Sequence, residues 1–213
     1  MKIKIFRSIK DIEFDTEMGQ LNGNILLVTG LSGSGKSWLA KELGGRYNAE
    51  IFQPEWLIHT KHAEGEGKVM LENFLCEHKE IRSFAENKWN NCKVEDENEL
   101  LKKYLNLFFN YFLEKRDKEK FYIVEGLQIF TLIDFNLLKG FPLIIKGTSS
   151  FDSLRNRIKR DMGKRKSLNF FKKTKYFFKI LKQSRLYQFK HRKKLNIFIK
   201  KRADLKLESI CKQ

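Results

Sequence analysis

The chain has 213 residues, a length that suits one domain, and 41% of them are hydrophobic, enough to build a sizeable core. No run of about 18 uncharged apolar residues occurs, and the first residues lack the apolar block and cleavage site of a signal peptide, so neither a membrane span nor a secretory leader is expected. The net charge of +17 is unevenly placed: residues 1–150 carry 21 basic and 22 acidic side chains, residues 151–213 carry 22 and 4.

Residues 2–6 alternate Lys and apolar side chains, and Ile12 and Phe14 alternate again within 11–15. These are two half-exposed strands, expected to pair as a hairpin at a sheet edge. A polar turn with Gly19 and Gly23 leads to residues 25–29, apolar except for Thr29, as in a parallel strand covered on both faces. Gly30, Leu31, Ser32, Gly33, Ser34, Gly35, Lys36 and Ser37 follow, then a helix-forming stretch that Gly44 and Gly45 are expected to stop. Residues 49–52 read as a second strand, ended by Gln53 and Pro54. Glu55 follows at that strand's carboxyl end, the edge where ligands bind in an open α/β sheet.

Residues 56–118 read as mostly helical, with a loop near Gly65 and Gly67. Met70, Phe74, Ile81, Phe84 and Trp89 are spaced for a buried face, and Leu100, Leu101, Tyr104, Leu105, Phe108 and Phe112 repeat the pattern. Core packing explains these aromatics better than base stacking does. His59 and His62 stand three apart but have no third ligand, which argues against a metal site. Residues 121–125 are a strand ending in a carboxylate, Glu125, followed by Gly126. Residues 142–146 are another, and the polar loop 147–150 caps an Arg-rich helix over 151–162. Lys and Arg interleave with aromatics over 167–189, and residues 195–199 read as a final strand. Strands alternating with helices predict a parallel sheet with helices on both faces. Its strands would be 25–29, 49–52, 121–125, 142–146 and 195–199.

Gly30 to Ser37 fits G-x-x-x-x-G-K-[ST], the phosphate loop. Glycines let the main chain curl so that successive N–H groups face a polyphosphate, and the next helix points its positive end the same way. Lys36 neutralises outer phosphates there, and the Ser37 hydroxyl ligates Mg²⁺. A strand ending in an acid, as at Glu125, accompanies such loops and holds Mg²⁺ directly or through water. Cys76, Cys92 and Cys211 are odd in number and far apart, which fits a reducing cytoplasm rather than a disulfide framework or zinc knuckle.

These residues resemble the small P-loop kinases, the adenylate-kinase and uridine-kinase-like group. The loop Gly30 to Ser37 matches. Val124, Glu125 and Gly126 are similar to the Glu-Gly after the acidic strand in uridine kinase and phosphoribulokinase. Arg157 to Arg165, with Arg160 beside Asp161, is similar to the lid of those kinases. The resemblance spans residues 25–165. It implies an α/β, three-layer P-loop NTPase fold with a mostly parallel five-stranded core sheet, an N-terminal edge hairpin and a helical lid. The whole chain, 1–213, would be one kinase-like domain, with 56–118 on the substrate side and 151–194 as a basic lid region. It also implies transfer of the γ-phosphate from ATP·Mg²⁺ to a hydroxyl of a small-molecule acceptor. Lys36 and Arg160 would act on the transferred phosphate. Arg155, Arg157, Arg160 and Arg165 would close over it, and Ser37 and Glu125 would place Mg²⁺. Uridine kinase has an Asp after its second strand as base for the substrate hydroxyl. Here Glu55 stands nearest that place, between Pro54 and Trp56.

The basic segment 151–213 points to a polyanionic partner. One alternative is a kinase of nucleic acid ends, or another nucleic-acid-dependent P-loop enzyme, since aromatics among cations suit base stacking and phosphate neutralisation. Another is an anionic membrane surface, which would bring a kinase to a lipid-linked or glycan substrate. The apolar positions of 168–189 do not sort cleanly onto one face, which ranks this below the nucleic-acid alternative. A GTP switch ranks last: Lys201, Arg202, Ala203 and Asp204 lack the leading Asn of a guanine-reading motif.

Overall fold

Four of the five expected core strands form, and the sheet they make sets where the site lies. In the computed structural model residues 3–6, 24–88, 99–163 and 170–210 are described. The strands are β1 (Ile3–Phe6), β2 (Ile25–Thr29), β3 (Glu50–Phe52), β4 (Tyr122–Glu125) and β5 (Leu143–Lys146). The helices are α1 (Lys36–Tyr47), α2 (Gly65–Glu77), α3 (Lys79–Lys88), α4 (Glu99–Lys115), α5 (Gln128–Thr131), α6 (Ser150–Gly163) and α7 (Phe170–Ile210). The order across the sheet is β1-β5-β2-β4-β3, and every pairing is parallel. β2 to β5 carry the site, and β1 pairs with β5 at the edge, Ile3 opposite Leu143. The expected hairpin partner of β1, residues 11–15, lies outside the described residues.

Alternation along β2 assigns its two faces. Ile25 and Leu27 join Phe52, Tyr122, Val124, Leu143 and Ile145 in a core with α2, α4 and the inner side of α7. Leu26 and Val28 join Ile123 and Ile144 against Leu39, Ala40 and Leu43 of α1. Helices therefore cover both faces, the condition that lets a parallel strand be apolar throughout. The larger core is aromatic at its centre, where Phe52 stacks on Phe112 with ring centroids 4.0 Å apart and meets Phe108 at 5.1 Å. Burial of each such ring contributes about 2–3 kcal/mol.

Three expectations are corrected. Residues 195–199 are not a strand; they lie within α7, where Leu195 and Phe198 join the core on helical spacing. A run of β-formers becomes helix because α7 already has a buried side, and helical spacing places those apolar groups on it. α1 does not stop at Gly44 and Gly45 but runs to Tyr47, closed by Asn48 in the left-handed region at φ 48°. A Cβ on Gly44 would stand 3.3 Å from the Ala49 carbonyl, so this glycine serves the close return of the chain toward β3. Gly65 and Gly67 are not a loop: α2 begins at Gly65, and a Cβ on Gly67 would run into the Trp56 ring. No helix among the described residues is long and apolar enough to cross a membrane.

Candidate functional site at the carboxyl edge of the sheet

From β2 the chain crosses to β3 on one side and later passes β2 again to reach β5 on the other. The carboxyl end of β2 thus borders the crevice that such a reversal of direction creates. Residues 30–37 leave β2 at this point. Gly33 and Gly35 hold φ 84° and 85°, in the left-handed region that side chains avoid. The Ser34 amide donates to the Leu31 carbonyl at 3.0 Å, and the Leu39 amide to the Gly35 carbonyl at 3.0 Å, starting α1. The first-turn amides of α1 have no carbonyl one turn earlier in the helix to bond. No acidic side chain stands in that turn.

Several elements bring side chains to this edge. Lys36 Nζ, from α1, lies 3.7 Å from Glu125 Oε1, at the end of β4. Glu125 is 1% exposed and accepts a hydrogen bond from Gln53 Nε2 at 2.8 Å, with the Ser37 side chain near enough to favour its charged form. Burial pushes its carboxyl above the ordinary carboxylate value; Lys36 pulls it back, and the nearby Glu55 carboxylate adds to the rise. Thr29 Oγ1 donates to the Gly126 carbonyl at 2.7 Å, tying the ends of β2 and β4 together.

Glu55 sits in a single 3₁₀ turn, Pro54–Leu57, with Pro54 fixing its first φ. Trp56 anchors that turn: its ring is buried against Gly67 and lies 5.8 Å from Phe52. Glu55 is left half-buried, near enough to Glu125 to raise its pKa. Gln128 Nε2 donates to Glu55 Oε2 at 3.4 Å. The Gln128 side chain is 2% exposed, and its Oε1 has no hydrogen-bond partner. That oxygen would stand 2.7 Å from a Cβ on Gly126, so the glycine makes room for the amide.

The arginines divide. Arg157 is half-buried, and its backbone amide would lie 3.3 Å from a Cβ on Gly33. Arg155 and Arg160 are exposed on α6, and Arg165 lies outside the described residues. α6 itself is seated against the loop. Ser153 Oγ donates to the Ser32 carbonyl at 2.6 Å, Asn156 Nδ2 to the Gly33 carbonyl at 3.2 Å, and Gln188 Nε2 of α7 to Ser153 Oγ at 2.7 Å. Ser149 caps α6 by accepting from the Asp152 amide at 3.0 Å, in the polar loop expected to do so.

Sequence reasoning missed Gln53, Gln128, Ser153, Asn156 and Gln188. A visible signal was Gln128, a lone amide between Leu127 and Ile129 just after the acid-glycine pair. The His59 and His62 rings meet edge to face at 5.9 Å, and the described residues contain no group of three or more His, Cys, Asp or Glu placed to hold a metal.

Chemically, the edge offers a curled backbone, the Lys36 ammonium, the Ser37 hydroxyl and two carboxylates of different depth. Glu125 and Ser37 are hard oxygen donors of the kind Mg²⁺ takes, and a cation there would relieve the charge that burial disfavours on Glu125. Compared with known protein families and with curated proteins, the chain matches none.

Proposed function

We propose that the chain is a kinase of the P-loop NTPase kind, with the sheet and its helices as that fold's three-layer core. It would move the γ-phosphate of ATP·Mg²⁺ to a hydroxyl of a small-molecule acceptor. The observation that carries this reading is the convergence of Lys36, Ser37, Glu125 and Glu55 beside a glycine loop at one sheet edge. Had the two carboxylates stood at the opposite edge from Lys36, only nucleotide docking would have been supported.

Each residue then has a task. The main-chain amides after Gly33 and the Lys36 ammonium hold the phosphates. Ser37 and Glu125 would hold Mg²⁺, which would supply charge neutralisation. Glu55 accepts the proton of the acceptor hydroxyl as its oxygen bonds the γ-phosphorus and ADP departs. Gln128 steadies Glu55 with its amide nitrogen. Arg155, Arg157, Arg160 and Arg165 are the residues available to meet charge spreading on the transferred group, because a guanidinium grips phosphate oxygens in pairs. Such catalysis rests on positioning and electrostatics.

The test is ADP release with ATP·Mg²⁺ and a panel of nucleosides, sugars and polyols. Lys36→Ala should lower turnover by about a thousandfold or more. Glu55→Gln should lower kcat by about 10²–10³ and leave nucleotide affinity nearly unchanged. Undiminished turnover in Lys36→Ala would remove the mechanism, and a Glu55→Gln defect confined to nucleotide binding would remove Glu55 as base.

A further inference from the structure

α7 has two sides of opposite character. At about 100° per residue, Ile180, Ser184, Gln188, His191, Leu195, Phe198 and Arg202 fall within one arc of roughly 80°, and all are buried. On the opposite side stand Phe178, Leu186, Phe189 and Ile197, 62%, 65%, 78% and 48% exposed. These four fall within an arc of about 100° and span about 28 Å of helix. Exposed Lys175, Lys179, Lys182, Arg185, Lys193 and Lys200 share that side. No acidic residue occurs between Asp161 and Asp204. Phe177, 36% exposed, falls on the inner arc, so the exposed apolar groups are concentrated on the outer side rather than confined to it.

We infer that this outer side of α7 docks the domain on an anionic lipid surface, with the helix lying in the plane of the interface. The lack of acid and the row of cations specify a polyanion. The apolar groups choose between polyanions. A nucleic acid rewards aromatic platforms and gives little to aliphatic side chains, whereas Leu186 and Ile197 gain as much as Phe189 from entering the acyl boundary. Lysine stems can lie along that boundary while their ammonium groups stay at the headgroups. Gln188, on the inner side of the same helix, bonds Ser153, which bonds the Ser32 carbonyl. The docked helix would therefore hold the phosphate loop at a fixed height over the lipid. The inference needs no nucleotide and stands or falls apart from the kinase reading.

The test is flotation of the whole chain with vesicles of phosphatidylcholine alone and with about 30% phosphatidylglycerol. Binding should require the anionic lipid and weaken between about 0.1 M and 0.5 M salt. Leu186→Ser with Phe189→Ser should weaken partitioning about tenfold or more. Lys182→Gln with Lys193→Gln should weaken it by about fivefold per lysine. Both pairs are solvent-exposed, and unchanged circular dichroism would show that the fold is kept. Failure to float with anionic vesicles, binding indifferent to the Leu186 and Phe189 substitutions, or tight binding of a mixed-sequence oligonucleotide without vesicle binding would each overturn the inference.

Discussion

The loop edge and the outer side of α7 are both arranged to meet negative charge, by opposite means. At the loop the donors are main-chain amides, Lys36 is matched by a buried carboxylate, and the second carboxylate stands on its own turn. On α7 the donors are side chains on long stems, the sequence between Asp161 and Asp204 supplies no carboxylate, and apolar groups sit among them. Fixed amides and counted charges select one ligand in one orientation. Mobile ammonium groups on a broad face attract any dense anionic surface and gain specificity from the apolar groups alone. Buried acids therefore mark the edge where chemistry is proposed, and their lack marks the side proposed to adhere.

The comparison breaks most readily at Gly33. Gly33 and Gly35 share a left-handed φ, but a Cβ on Gly33 would run into the Ser153 carbonyl while one on Gly35 meets nothing within 4 Å. Gly35→Ala should cost about 1–2 kcal/mol of stability, and Gly33→Ala about 3–4 kcal/mol because the seat of α6 must also move. Denaturant unfolding of the two variants checks this. Equal losses would mean that α6 does not constrain the loop.

A middle-sized effect is expected at Glu125. Burial raises its pKa in the folded state above the ordinary carboxylate value, so the native chain holds that proton more tightly than the unfolded chain. Stability from this group is greatest below the unfolded value and declines as pH rises toward the raised folded value. Glu125→Gln should flatten that part of the pH profile and leave the apo protein at least as stable as wild type at neutral pH. Turnover should fall about a hundredfold. A variant that melts lower at neutral pH in the absence of Mg²⁺ would contradict the cost assigned to the buried charge. The smallest effect is the control between regions: Lys182→Gln with Lys193→Gln should leave ATP affinity within about twofold, since screening isolates exposed charges beyond about 10 Å.

What the sequence disclosed depended on the range of the interaction involved. β2, the loop and β4 were legible because each is one continuous run whose apolar residues, glycines and terminal acid are spelled in order. Glu55 was legible as a carboxylate at a strand end. The alternating four- and three-residue spacing of His191, Leu195, Phe198 and Arg202 was not, because 195–199 alone has strand composition and only the surrounding helix reveals the period. Arg202 illustrates the point. It is fully buried, donates to the Leu138 carbonyl and, at 3.0 Å, to that of Phe141, and burial lowers its pKa to about 10. Gln53, Gln128 and Gln188 each find their site partners 72, 73 and 35 residues away. Nothing local distinguishes Gln53 and Gln188 from solvated amides; Gln128 alone is marked, by its apolar neighbours Leu127 and Ile129.

The central claim is that the bend around Gly33 receives a triphosphate together with a divalent cation. Calorimetric titration of ATP into the whole chain, with Mg²⁺ and then with EDTA, tests it directly. One site per chain is expected, weakened about tenfold or more when the cation is removed and lost in Lys36→Ala. No binding with Mg²⁺ present, or binding indifferent to both the cation and Lys36, would contradict it.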